Sequence, residues 1–256
     1  MTVAAAGLDI HMLVAGSVDP LILLHGGTAT ADMSWTTAMP RLVADWYVVA
    51  PDTRGHGRTA NPADELSYQQ FADDAAALID AMELDRPVIA GYSDGAQTAL
   101  EFGLRHPGRA AALILGGAVS EPTARYVATL HEWGFIAPGE FDVDRIAAEF
   151  GEDFVDLRRA HVHASSDALW LRFLRQIAQL WLRLPVYSNE ELVTITEPTL
   201  VITGDRDEVA DLDQAARLYH AIPNAELAIV PGASHGAADR DIYWELVLDF
   251  LDRTRT

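Results

Sequence analysis

Short apolar runs alternate with longer amphipathic ones along this chain, and that alternation leaves few folds open. Residues 21–24 (LILL), 46–50 (WYVVA), 87–92, 111–115 (AALIL), 199–203 (TLVIT) and 227–230 read as strands with little or no polar face. A strand that is apolar on both sides has to be covered on both sides, which a parallel sheet between two helical layers achieves. Residues 34–45, 68–84, 94–105, 212–221 and 243–251 supply the helices. In the second of these, Phe71, Ala75, Leu78, Ile79 and Met82 fall at helical spacing. The expected fold class is therefore α/β, a mostly parallel sheet with helices on both faces.

The alternation stops between residues 121 and 192. Strand-like runs vanish there, and helical runs rich in aromatics take over, among them Trp133, Phe135, Phe141, Phe150, Trp170, Phe173 and Trp181. The simplest division is a core made of residues 1–120 and 193–256, with a helical cap, 121–192, inserted after the strand at 111–115. Such an insertion lies over the carboxyl ends of the strands, where open α/β sheets bind ligands.

Composition removes several function classes. The net charge of −20 argues against nucleic acid and anionic membranes as partners. The chain has no cysteine, so disulfides, thiolate metal sites and cysteine nucleophiles are excluded. It has no lysine either: all 18 basic residues are arginine, which excludes Schiff-base chemistry. The N-terminal MTVAAAGLDI lacks a basic start followed by a long apolar stretch, so no signal peptide is read there. The expected setting is cytoplasmic, with no cofactor and no metal.

The most informative stretch is Gly91-Tyr92-Ser93-Asp94-Gly95, which fits G-x-S-x-G where a strand passes into a helix. A serine at so sharp a joint needs neighbours without side chains, so that strand and helix can approach. The helix that follows points its positive end at whatever the serine would attack. A serine hydroxyl is a poor nucleophile at neutral pH and needs a base that is itself oriented by a carboxylate. Two late strands end in suitable loops: Gly204-Asp205-Arg206-Asp207 after residues 199–203, and Pro231-Gly232-Ala233-Ser234-His235-Gly236 after 227–230. Ser93 and His235 are the candidate nucleophile and base. Spacing alone leaves Asp205 and Asp207 both open as the carboxylate.

With HGG at 25–27, PDTRGHG at 51–57, GYSDG at 91–95, GDRD at 204–207 and GASHG at 232–236, the chain resembles the α/β-hydrolase family over essentially its whole length. The GYSDG turn is similar to that of small bacterial ester hydrolases and of the amino-acid-ester hydrolase branch. The resemblance implies an acid at Asp207 and a base at His235. It also implies an oxyanion hole formed by the backbone N–H groups of Gly27 and Asp94. Glu121, after an earlier strand, is an outside candidate for the acid, because some relatives take theirs from that place.

Other residues carry blander readings. His25 is read as a packed turn histidine, and Arg54 and His56 as structural parts of their loop. His161-Val162-His163 invites a metal, but residues two apart on a helix do not share a face, so the expectation is a solvated surface. Thr28, Tyr92, Trp133, Trp170, Phe173 and Trp181 are the candidate substrate contacts. Asp94 has two readings that the sequence leaves open. Its carboxylate either completes the electrostatics of a helix N-terminus or faces the pocket and pairs with a cationic group.

The expected function is a cofactor-free serine hydrolase acting on an ester, thioester or lactone with an apolar body. The rival readings on the same fold are carbon–carbon bond hydrolysis, perhydrolysis, a biosynthetic cyclisation or elimination, and a ligand receptor with a vestigial triad.

Overall fold

The structure, a computed structural model, describes residues 1–255. The chain opens with two strands, β1 (Thr2–Ala5) and β2 (Leu8–Ala15). Alternation then sets in with β3 (Asp19–Leu24), α1 (Ala31–Trp35), β4 (Trp46–Pro51), α2 (Tyr68–Ala81), β5 (Val88–Tyr92), α3 (Asp94–Arg105) and β6 (Leu113–Gly116). After an intervening segment it resumes with β9 (Thr199–Gly204), α9 (Leu212–Ala221), β10 (Ala225–Val230) and α10 (Asp241–Thr254). That segment contains α4 (Ala124–Glu132), a hairpin of β7 (Phe135–Ala137) and β8 (Glu140–Phe141), α5 (Val143–Phe150), α6 (Asp153–Ala160), α7 (Asp167–Trp181) and α8 (Asn189–Leu192).

Eight strands form one sheet in the order β1-β2-β4-β3-β5-β6-β9-β10. The pairs β1–β2 and β2–β4 are antiparallel, and every other pair is parallel. The period of two along each strand divides the core between the faces. Ile22 and Leu24 of β3 pack with Leu78 and Ile79 of α2 and Leu100 and Phe102 of α3. Leu21 and Leu23 point the other way, onto Trp35 of α1 and Trp244, Val247 and Phe250 of α10. This is the α/β architecture expected from the apolar strands, with helices on both faces.

The sequence pattern missed three local features. β1 and β2 lie outside the strands that the pattern predicts: in β2, Leu8, Ile10 and Met12 are buried while Asp9 is exposed, the alternation of an antiparallel strand covered on one face. Residues 34–45 do not make one helix. α1 ends at Trp35, and a 3₁₀ turn, Met39–Arg41, follows with Pro40 in its first turn, where the missing N–H prevents an α-helical ladder from running through. The β7–β8 hairpin stands in a stretch that showed no strand-like run; it turns at Gly139, whose φ of 81° favours glycine.

The segment between β6 and β9 adds no strand to the large sheet. Its aromatic faces share an apolar cluster with Leu66, Tyr68 and Phe71, which lead into and begin α2. His161, read as solvated, is buried instead. As the residue that ends α6 it turns inward, its Nδ1 donates to the Leu157 carbonyl at 2.7 Å, and its ring lies 4.5 Å from that of Phe173. His163 is exposed and reaches the Arg58 carbonyl, so the two imidazoles do not converge. Among the described residues no helix is long and apolar enough to cross a membrane.

Candidate active site

Ser93 stands between the last residue of β5 and the first of α3, with φ 54° and ψ −117°. That conformation costs a non-glycine residue about 1–3 kcal/mol and persists only where its surroundings enforce it. The two flanking glycines make it feasible. A Cβ on Gly91 would run into the Gly95 backbone, and one on Gly95 would run into the Leu24 carbonyl. The Ser93 N–H donates to the Gly116 carbonyl at the end of β6, and its own carbonyl accepts from Gln97, opening α3. The side chain is thereby lifted out at the carboxyl end of the sheet, over a helix N-terminus.

Two loops from neighbouring strands meet it there. Ser93 Oγ lies 2.9 Å from Nε2 of His235, in the loop after β10. Nδ1 of His235 donates to Asp207, in the loop after β9, with both carboxylate oxygens at 3.0 Å. Asp207 is almost fully buried and also accepts from the Val209 and Ala210 N–H groups, at 2.9 and 2.8 Å, and from the Thr203 hydroxyl. Burial works against its charge, yet the bonds from His235 and these N–H groups hold its carboxyl below the ordinary value of 3.8. Asp205 is engaged elsewhere, accepting from the Gly232 N–H at 2.6 Å. Both Nδ1 contacts of His235 are to Asp207, and Glu121 takes no part in them.

The base loop is tied down by the residue before the serine. The Tyr92 hydroxyl donates to the His235 carbonyl at 2.7 Å and accepts from the Ala237 N–H at 3.1 Å. Gly117, with φ 61°, leaves room for the imidazole; a Cβ there would come within 3.1 Å of its Cε1.

Other loops are braced from behind. His25 is buried, donates from Nδ1 to the Gly26 carbonyl and accepts the Thr53 N–H at Nε2, so it acts as a packed turn residue. Arg54 makes a buried bidentate pair with Asp74 of α2, at 2.8 and 2.6 Å. His56 is buried among His25, Phe71 and Phe173.

A partly open cavity leads to Ser93. Of the candidate substrate contacts, Thr28, Trp133 and Trp181 line it, as do Gly27 and Asp94. Tyr92 is not on its wall, and neither are Trp170 and Phe173, which stack on each other and on His161 higher along α7. Tyr68, Gln97, Tyr126 and Phe150 are on the wall although they are not among the candidate substrate contacts read from the sequence. Their positions depend on how α2, α3, α4 and α5 pack, and local pattern does not encode that.

Asp94 has a more specific environment than a helix end requires. Its carboxylate is buried and accepts from the Tyr68 hydroxyl at 2.9 Å and from the Trp181 indole at 2.9 and 3.0 Å. Burial raises its pKa to about 6, against the lowering effect of those two bonds. Among the described residues, no three His, Asp or Glu side chains converge to hold a metal ion.

The family profile described as "Alpha/beta hydrolase family" matches residues 21–242. A 2-hydroxy-6-oxo-2,4-heptadienoate hydrolase of Pseudomonas putida is 27% identical over 91% of this chain and 88% of its own length. The non-heme chloroperoxidase CPO-A1 of Kitasatospora aureofaciens is 27% identical over 96% of the chain and 97% of its own. Among solved structures, a serine hydrolase involved in carbazole degradation superimposes with a TM-score of 0.79 at 26% identity, covering 98% of both chains.

Proposed function

The chain belongs to the alpha/beta hydrolase family, and on that premise we propose that it is a serine hydrolase that cleaves an ester, thioester or lactone of a largely apolar small molecule through an acyl-enzyme. The observation that carries this reading is the continuous hydrogen-bonded line from Ser93 Oγ through His235 to Asp207, ending at an aromatic-lined cavity. Ser93 attacks the acyl carbon while His235 Nε2 takes its proton, and Asp207 fixes the imidazole with Nε2 facing the serine. The N–H groups of Gly27 and Asp94 stabilise the oxyanion. The same imidazole protonates the leaving group and then activates the water that releases the acid. Residues 121–192 serve as the cap, contributing Trp133 and Trp181 to the pocket.

A second reading is carbon–carbon bond hydrolysis, favoured by the heptadienoate hydrolase among the relatives. A dienoate is a carboxylate, however, and among the described residues no arginine or lysine stands on the cavity wall to receive one. Ester cleavage is therefore the better-supported reading.

A fluorophosphonate probe followed by a panel of p-nitrophenyl esters of increasing acyl length separates the two. The expected result is labelling at Ser93 with turnover that peaks at an intermediate chain length. Labelling without turnover of any ester, together with consumption of a 2-hydroxy-6-oxo-dienoate, would give the second reading. No labelling at all would refute a serine mechanism.

A further inference from the structure

Asp94 places a carboxylate on the wall of the cavity directly after the nucleophile in the chain. Both groups that hold it are uncharged. The Tyr68 hydroxyl and the Trp181 indole each reach Oδ1, whereas Oδ2 accepts only from Trp181 and lies against Gly27, where an added Cβ would meet it at 2.5 Å. Among the described residues, no arginine or lysine lines the cavity, and Asp94 is the one acidic residue on its wall. The ionisable groups facing it from the surrounding elements are Tyr68 of α2, Tyr126 of α4 and His235 after β10. Most of the remaining wall is apolar or aromatic, with Val119, Leu130, Trp133 and Phe150 among it. Repulsion between like charges is weakly screened in such a place, and a second anion would have to give up its hydration with no cation in return.

We propose that Asp94 is a specificity-determining residue that rejects substrates whose acyl chain carries a carboxylate. The proposal rests on the serine-hydrolase reading and names the substrate class of that same site. The cavity accepts apolar bodies by its aromatic wall, and its one fixed negative charge sorts them by charge. Because Tyr68 and Trp181 both reach Oδ1, Asp94→Asn can keep an oxygen in that place and both bonds with it. The charge can thus be removed while the attachment of α7 to α2 is retained.

The test compares methyl hexanoate with monomethyl adipate, which differ only in a terminal methyl or carboxylate, using proton release at pH 8. For the wild type, kcat/KM should favour the hexanoate by about tenfold or more, and Asp94→Asn should bring the two within about threefold. Tyr68→Phe, which removes a donor and leaves the charge, should preserve the wild-type ratio. Comparable turnover of both esters by the wild type, or a ratio that Asp94→Asn leaves unchanged, would overturn the proposal. If neither ester is cleaved, the hydrolase reading fails separately, and calorimetric titration of Ser93→Ala with the same two compounds decides the charge question. The adipate should then bind at least about tenfold more weakly, and the gap should close in Ser93→Ala/Asp94→Asn. Equal binding of both compounds to Ser93→Ala would overturn the proposal there too.

Discussion

Replacing Asp94 by asparagine should stabilise the protein, and by an amount that depends on pH in a defined way. Burial raises the Asp94 pKa from 3.8 to about 6, against the hydrogen bonds from Trp181 and Tyr68. A folded pKa above the unfolded one means that the folded state prefers the protonated acid. That contribution to stability is complete below about pH 4 and is lost as pH rises through about 6. The rise amounts to about 3 kcal/mol of penalty for the ionised group at pH 8, and roughly half of that at pH 5. Asparagine carries no charge and can present its oxygen to both donors, but its amide nitrogen would then face the Trp181 N–H near the Oδ2 position. Setting about 1 kcal/mol against that mismatch leaves Asp94→Asn more stable by about 2 kcal/mol at pH 8, with the advantage largely gone at pH 5. Urea unfolding followed by tryptophan fluorescence at both pH values measures the difference, provided the m-value is unchanged. A variant less stable than wild type at pH 8, or an advantage that fails to shrink towards pH 5, would refute the argument. Either result would mean that Asp94 is better solvated than its burial implies.

Further outcomes follow from the same geometry. Ser93→Ala should abolish fluorophosphonate labelling and cut ester turnover by several powers of ten with an unchanged circular dichroism spectrum, since no core volume is lost. Asp207→Asn should lower kcat by about 10³–10⁴ because the amide favours the wrong imidazole tautomer, whereas Asp205→Asn, which disturbs only the Gly232 contact, should cost far less; steady-state kinetics on one ester ranks the two. Tyr92→Phe frees the His235 carbonyl and the Ala237 N–H. Its kcat should fall by about tenfold with little change in KM, and rapid-quench measurement should locate the loss in acylation. Trp133→Ala should move the preferred acyl chain length upward, while Trp170→Ala, away from the cavity, should lower thermal stability and leave the chain-length profile in place.

Much of this protein was legible in the linear sequence because the relevant physics is local or follows from topology. Apolar strands alternating with helices require a parallel sheet covered on both sides, and such a sheet brings the loops after successive strands to one edge. The loop holding Asp205 and Asp207 and the loop holding His235 could therefore be placed near Ser93 without any knowledge of distances, and the contact with His235 singles out Asp207. The glycines at 91 and 95 were equally readable, since only their bare Cα atoms let β5 and α3 meet. What lines the cavity was decided by tertiary packing alone. Trp170, Phe173 and Trp181 share one helical stripe, but α7 rises about 1.5 Å per residue, so Trp170 sits about 16 Å from Trp181 along the axis. Trp181 consequently meets Asp94 and the cavity, and the other two meet His161. The same holds for the two readings of Asp94. Its partners come from Tyr68, 26 residues before it, and Trp181, 87 residues after it. A hydrogen bond depends on position in space, and only the docking of the inserted helices on α2 brings those donors together around the carboxylate.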